Sequence, residues 1–142
     1  MNVIRHTGLV TTNLKQSLLF WTKYLKFKIH KEMDEDGDLI DKIMLYKNVK
    51  LKTIKLKDQN NNLLELLYFK NRPKIKFCKI KPYSNGVTHI SITVKNLNAL
   101  YKVLHKKKIV FNSKPKISSD GNVIMTYCET PEGAYLELVQ DL

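Results

Sequence analysis

At 142 residues the chain has room for one compact domain or two tightly packed small modules, and a hydrophobic content of 43% suffices for a core. No apolar run approaches the roughly 20 residues that span a bilayer, and Arg5, His6 and Lys15 break up the start of the chain before a secretory signal could form there. The net charge of +12 raises the question of nucleic acid, but all except two of the 25 basic residues are Lys, whereas base reading and bidentate phosphate contacts favour Arg. The expectation is therefore no nucleic-acid partner and no membrane partner. The Lys residues, often at alternate strand positions (Lys50, Lys52, then Lys55, Lys57), read as a solvated face. A basic rim for an anionic small molecule is the alternative. Cys78 and Cys128 are too few for a disulfide framework and fit no metal motif. Reduced thiols and a cytoplasmic location are expected.

In chain order, Ile4 to Thr12 reads as a strand. Asn13 is a helix N-cap, with Gln16 placed for a capping box, and Leu14, Leu18, Trp21 and Leu25 fall on one helix face. Phe27 to Met33 is a strand, Asp34 to Asp38 an acidic turn or loop, and Leu39 to Tyr46 a short helix. Val49 to Lys57 is a strand whose alternation slips near Thr53-Ile54, which predicts a bulge there. A turn at Asp58 to Asn62 leads into a strand over Leu63 to Phe69.

Residues 71–85, with Pro73, Pro82, Ser84 and Asn85, read as a connection between a first module (1–70) and a second (86–142). The second module opens with a strand from Val87 to Lys95. Asn96 then caps a helix that turns Leu97, Leu100 and Leu104 inward. Three more strands cover Val110 to Ile117, Asn122 to Glu129 and Ala134 to Val139, separated by turns at Ser119-Asp120-Gly121 and Pro131-Glu132-Gly133. Each half reads β-α-β-β-β, an α+β pattern.

The halves repeat. Eighty-three residues separate His6 from His89, and the same 83 separate Asn13 from Asn96, so no gap is needed. Seventy-two separate Glu65, in Leu64-Glu65-Leu66, from Glu137, in Leu136-Glu137-Leu138. Two imidazoles and two carboxylates on rigid strands make a divalent-metal site of mixed nitrogen and oxygen ligation. A buried Glu among leucines is costly unless it is paired or ligating. Leu64, Leu66, Leu136 and Leu138 should then face a helix while Glu65 and Glu137 face the site. The bland reading keeps each His as a structural hydrogen-bonder and each Glu as a salt-bridge partner of a Lys. His30 and His105, among charged neighbours, take that reading.

These motifs resemble the glyoxalase/bleomycin-resistance/extradiol-dioxygenase group, the vicinal oxygen chelate superfamily. The resemblance rests on His6-Thr7-Gly8-Leu9 through Asn13-Leu14 with Phe20-Trp21, on Asn61 to Leu66, on Gly86 to Ile92, and on Thr130 to Val139. It implies two tandem βαβββ modules forming a cupped mixed sheet around one divalent metal per site (Ni, Co, Zn, Mn or Mg). The ligands it implies are His6, Glu65, His89 and Glu137. A complete four-ligand set is similar to that of glyoxalase I and methylmalonyl-CoA epimerase, and so implies redox-neutral proton transfer on an α-oxygenated carbonyl substrate. Glu137 is the favoured base and Glu65 the alternative. A non-catalytic, resistance-type binding protein and an Fe(II) dioxygenase are the other readings. A small-molecule substrate and a homodimer are the implied partners, with the site formed within one chain or between swapped chains. The segment from Asp34 to Tyr46 is expected to shape the substrate pocket.

Overall fold

The parallel pairing of strands far apart in sequence organises both halves of the computed structural model, which describes all 142 residues. The chain divides into two units, Met1–Phe77 and Cys78–Leu142. In the first, β1 (Thr7–Val10), β2 (Lys28–Glu35), β3 (Leu51–Lys57) and β4 (Leu63–Phe69) form a sheet ordered β1-β4-β3-β2. In the second, β5 (His89–Thr93), β6 (Lys116–Ile117), β7 (Val123–Glu129) and β8 (Tyr135–Asp141) form a sheet ordered β5-β8-β7-β6. The order is the same in both. The outer strand that opens each unit runs parallel to the strand that closes it, and the other pairings are antiparallel. The α+β architecture of two βαβββ modules is therefore present, with one addition: α2 (Asp38–Met44) sits between the second and third strands of the first unit only. It falls within the stretch where the first half is the longer.

The helix of each unit starts as its Asn dictates. Asn13 Oδ1 accepts from the Gln16 amide at 3.0 Å at the head of α1 (Leu14–Leu18), and Asn96 Oδ1 accepts from the Ala99 amide at 2.9 Å at the head of α3 (Leu97–Lys106). The capping box is only half formed. Thr11 Oγ1, rather than the Gln16 side chain, receives the Asn13 amide at 3.1 Å. Thr11 is itself buried and shares a 2.6 Å hydrogen bond with buried Ser17.

Each sheet buries its leucines on the helix side. Leu64 and Leu66 face α1, and Leu136 and Leu138 face α3, all four almost wholly buried. The predicted helix face of Leu14, Leu18, Trp21 and Leu25 needs correction. Trp21 is buried as expected, but Leu14, Leu18 and Leu25 are only half-buried, and the other fully buried positions are Ser17 and Phe20. Beyond Leu18 the helix widens into a π-helical segment over Leu19–Tyr24, which shifts the phase of the residues that follow. Edge-to-face packing of Phe20 on Trp21 and of Trp21 on Phe27 fixes that cluster.

Four further expectations are revised. β1 begins at Thr7, not Ile4, which is 91% exposed. The acidic run is partly strand: β2 continues through Asp34 and Glu35, where Lys70 binds Asp34 at 2.7 Å and Lys52 lies 4.0 Å away. The bulge is not at Thr53-Ile54, since β3 pairs with β4 without interruption from Leu51 to Lys57, and the register instead shifts between Ile29 and Lys31 of β2. Finally, the strand predicted over Val110 to Ile117 shrinks to the two residues of β6 plus an isolated bridge at Phe111. Pro115 lacks the amide that a continuous ladder needs.

No helix is long and apolar enough to cross a membrane. Leu66, fully buried at the centre of its sheet, should be costly to truncate: Leu66→Ala is expected to lose about 2–5 kcal/mol, read from urea unfolding midpoints. Burial pushes the pKa of the Cys128 thiol up to about 12, helped by Glu129, while Cys78 is exposed. A thiol reagent at pH 8 should therefore titrate one cysteine in the native protein and the second only on unfolding. Rapid labelling of Cys128 in the folded state would contradict the packing of β7.

Candidate functional site

Register alone sets the first pair. In the parallel ladder Gly8 lies beside Glu65. His6 is two residues before Gly8, so its side chain falls on the same face as that of Glu65. The result is His6 Nε2 3.2 Å from Glu65 Oε2, with the carboxylate side chain 12% exposed and the imidazole 29%. The second unit repeats this step. Ser91 lies beside Glu137, His89 is two residues before Ser91, and His89 Nε2 stands 3.9 Å from Glu137 Oε2. His89 is the more open of the two, at 40% exposure.

The other oxygen of each carboxylate is engaged by the residue directly across the antiparallel ladder. Lys55 pairs with Glu65 and brings Nζ to 3.6 Å from Oε1. Tyr127 pairs with Glu137, and its hydroxyl donates to Oε1 at 3.1 Å. Lys55 and Tyr127 are 72 residues apart, as are the two glutamates, so they are the same position of the repeat with different chemistry. Tyr127 also sets its ring edge against the His89 imidazole at 5.3 Å. Burial, and then the neighbouring Glu137, raises the pKa of the Tyr127 phenol above its usual value, so it stays a neutral donor. The Thr88 hydroxyl lies 3.1 Å from His89 Nδ1 and orients the ring from its other side.

His6, Glu65, His89 and Glu137 thus come together as two His–Glu pairs, one in each unit. No group of three or more His, Cys, Asp or Glu side chains is gathered in a metal-holding arrangement. The donor chemistry of each pair fits a divalent ion, being one imidazole nitrogen and one carboxylate held on a strand. A second observation supports the fit in the first unit: His6 Nδ1 is buried and has no hydrogen-bond partner, a state that native proteins seldom tolerate without a group to fill it. His30 and His105 join neither pair. His30 is exposed at the β2 register shift, and His105 stacks on Tyr101.

Lys55 and Tyr127 are not marked out by the sequence. Alternation groups Lys55 with Lys50, Lys52 and Lys57 as solvated surface, yet it is 21% exposed and faces Glu65. Lys52 is also an ion-pair partner, 3.0 Å from Glu32.

The same architecture occurs in known proteins. A glyoxalase family protein from Bacillus cereus superposes with a TM-score of 0.87 at 14% identity, covering 100% of this chain and 95% of that one. One from Enterococcus faecalis gives 0.69 at 19% identity, covering 97% of both chains. The trypanothione-dependent glyoxalase I of Leishmania major gives 0.66 at 20% identity, over 99% of this chain and 87% of that one. At these identities the likeness concerns the fold. No curated protein matches the sequence. Residues 3–138 match the family model, and the chain belongs to the glyoxalase/bleomycin resistance protein/dioxygenase superfamily.

Proposed function

We propose that the protein is a divalent-metal-dependent enzyme of this superfamily that moves a proton, without net redox change, on an α-oxygenated carbonyl substrate. The observation that carries the reading is the duplicated register, which puts a His Nε2 against a Glu Oε2 on the same sheet face in each unit. Under this reading His6, Glu65, His89 and Glu137 together hold one metal (Ni, Co, Zn, Mn or Mg), the set being completed within one chain or between two copies in a homodimer. The metal, when bound, would serve as a Lewis acid toward negative charge on a substrate oxygen.

The residues of the chain divide the remaining work. A carboxylate must take the proton from the α-carbon and return it to the product. Glu65 faces the Lys55 ammonium, which holds its Oε1 in an ion pair across the ladder. Glu137 faces a neutral hydroxyl, which fixes Oε1 and leaves Oε2 toward His89. Glu137 is therefore the assigned base, with Glu65 the alternative. Tyr127 acts as a positioning residue, holding the carboxylate and packing the imidazole together. Lys55 supplies positive charge at the site edge, in keeping with an anionic substrate.

Lys55 also favours a second reading, a ligand-binding module without turnover. An ammonium on Glu65 supplies charge balance that a metal would otherwise provide. An Fe(II) dioxygenase is the third reading, and the second carboxylate counts against it, because the facial triad uses only one.

Elemental mass spectrometry of the purified protein should find about one divalent metal per site, lost in the His6→Ala/His89→Ala double variant and in Glu65→Gln. No metal after incubation with the five candidate ions would leave the binding-module reading standing. Oxygen-dependent turnover with iron that survives Glu65→Gln would establish the dioxygenase instead. Lys55→Met removes a cation beside the ligand set, so metal affinity should rise, by up to about tenfold. Competition against a chromogenic chelator measures this, and weaker binding would mean that Lys55 organises Glu65 rather than competing for it. Tyr127→Phe should keep the metal and cost about 0.5–1.5 kcal/mol of stability in urea, the worth of one hydrogen bond.

A further inference from the structure

The face of the first sheet that carries His6 and Glu65 changes character along its strands. Going up β4 from Glu65, the same-face residues are Leu67 and Phe69. Beside them on β1 is Val10, and across on β3 are Thr53 and Leu51. Ile40 of α2, with Val49 and Leu51, forms a buried cluster against which Met44, Tyr46, Leu67 and Phe69 pack. Next to this cluster lies a cavity of about 300 Å³ within the first unit, lined by Val10, Tyr46, Phe69, Arg72, Pro73 and Ile75. Its exposed walls are almost wholly apolar, and Arg72 is the one charged residue among them.

Two polar groups of this lining lack partners. Arg72 makes no ion pair or hydrogen bond, although it is only partly exposed. It is one of only two arginines in a chain that otherwise uses Lys. The Tyr46 hydroxyl is buried and also unpartnered, and burial, then Asp41, raises its pKa, which keeps it a neutral donor. The position of Arg72 is fixed by its neighbours. The Asn71 side chain accepts from the Lys50 amide at 2.9 Å and donates to the Asn48 carbonyl at 2.5 Å, and the Lys70 amide bonds the Lys50 carbonyl at 2.8 Å. Val10 and Ile75, both in the lining, are 42% and 64% exposed, so apolar surface there lies open to be covered.

We propose that this cavity is a binding site for a small apolar monoanion, an aryl or branched-alkyl carboxylate, whose carboxylate meets Arg72 and whose hydrophobic body lies on Phe69, Tyr46, Val10 and Ile75. The guanidinium matches a carboxylate through two parallel hydrogen bonds. The ring walls favour an aromatic body. The volume is at the small end of ligand sites, which excludes nucleotides and other large anions. The site rests on the first unit alone and needs no metal, so it stands or falls separately from the proton-transfer reading.

The test is a titration of the intact protein with 3-phenylpropanoate in the presence of a chelator, monitored by the methyl resonances of Val10 and Ile75, with 3-phenylpropanamide as the uncharged control. Saturable shifts at both methyls are expected, in the low millimolar range that a ligand of this size allows. The amide should bind about tenfold more weakly. Arg72→Gln should weaken the acid by a similar factor and leave the amide unchanged. Ile75→Asp, which sets a like charge at an exposed edge of the lining without touching the core, should abolish acid binding. The proposal is overturned if neither compound produces saturable shifts in a wild-type protein with a dispersed spectrum. It is equally overturned if acid and amide bind alike, or if Arg72→Gln changes nothing.

Discussion

The parallel ladder between the opening and closing strand of each unit is the constraint on which the rest depends. A hairpin could not join His6 to Glu65, 59 positions further along the chain, nor hold a fixed stagger between them. The parallel pair does both, because residues beside one another share a face and a step of two returns to that face. Gly8 beside Glu65 and Ser91 beside Glu137 are the same step in two copies. Everything else on that face, Lys55 and Tyr127 included, is placed by the antiparallel register of the neighbouring strand. A slip of one residue in β4 or β8 would turn the glutamate into the leucine core and the leucines into solvent. The burial of Leu64, Leu66, Leu136 and Leu138 is therefore what locks the polar groups in place.

Duplication makes the differences between the units informative. Both carboxylates present Oε2 to an imidazole and Oε1 to the cross-strand neighbour. The neighbour is an ammonium in one unit and a phenol in the other, so two carboxylates in the same backbone setting carry unlike charge surroundings. Pushing apart the environments of two equivalent carboxylates is a general way to divide acid–base roles between them. Here the unlike surroundings come from one change of residue type at one repeat position.

Much of this is legible in the sequence because its signals are local or strictly periodic. The Asn caps, the Leu-Glu-Leu triplets and the equal spacings need no knowledge of tertiary contacts. The features that are not legible involve phase. Lys50, just before β3, and Lys52 share one parity, and Lys55 and Lys57 share the other. That change of parity is visible, but from sequence it reads as a bulge. In an unbroken strand it means that Lys55 has crossed to the face of Glu65. The helix face is misplaced for a similar reason, since a π-helical turn over Leu19–Tyr24 is not encoded in a 3.6-residue period and moves Leu25 off the buried face. The brevity of β6 comes from Pro115, whose effect on a ladder depends on which neighbour would have received the missing amide.

The added helix in the first unit has a consequence for what the sheet face can hold. α2 and the Val49-Leu51 turn into β3 cover one end of the face with apolar side chains, while His6, Glu65 and Lys55 occupy the other. Strand β4 carries both ends, and the four residue steps from Glu65 to Phe69 span about 13 Å. One rigid strand thus carries a polar, charge-bearing end and an apolar end. The second unit, which has no helix between its second and third strands, lacks the covering element that gives the first its apolar end. The stretch in which the first half exceeds the second by eleven residues thus contains the helix that breaks the symmetry of the repeat.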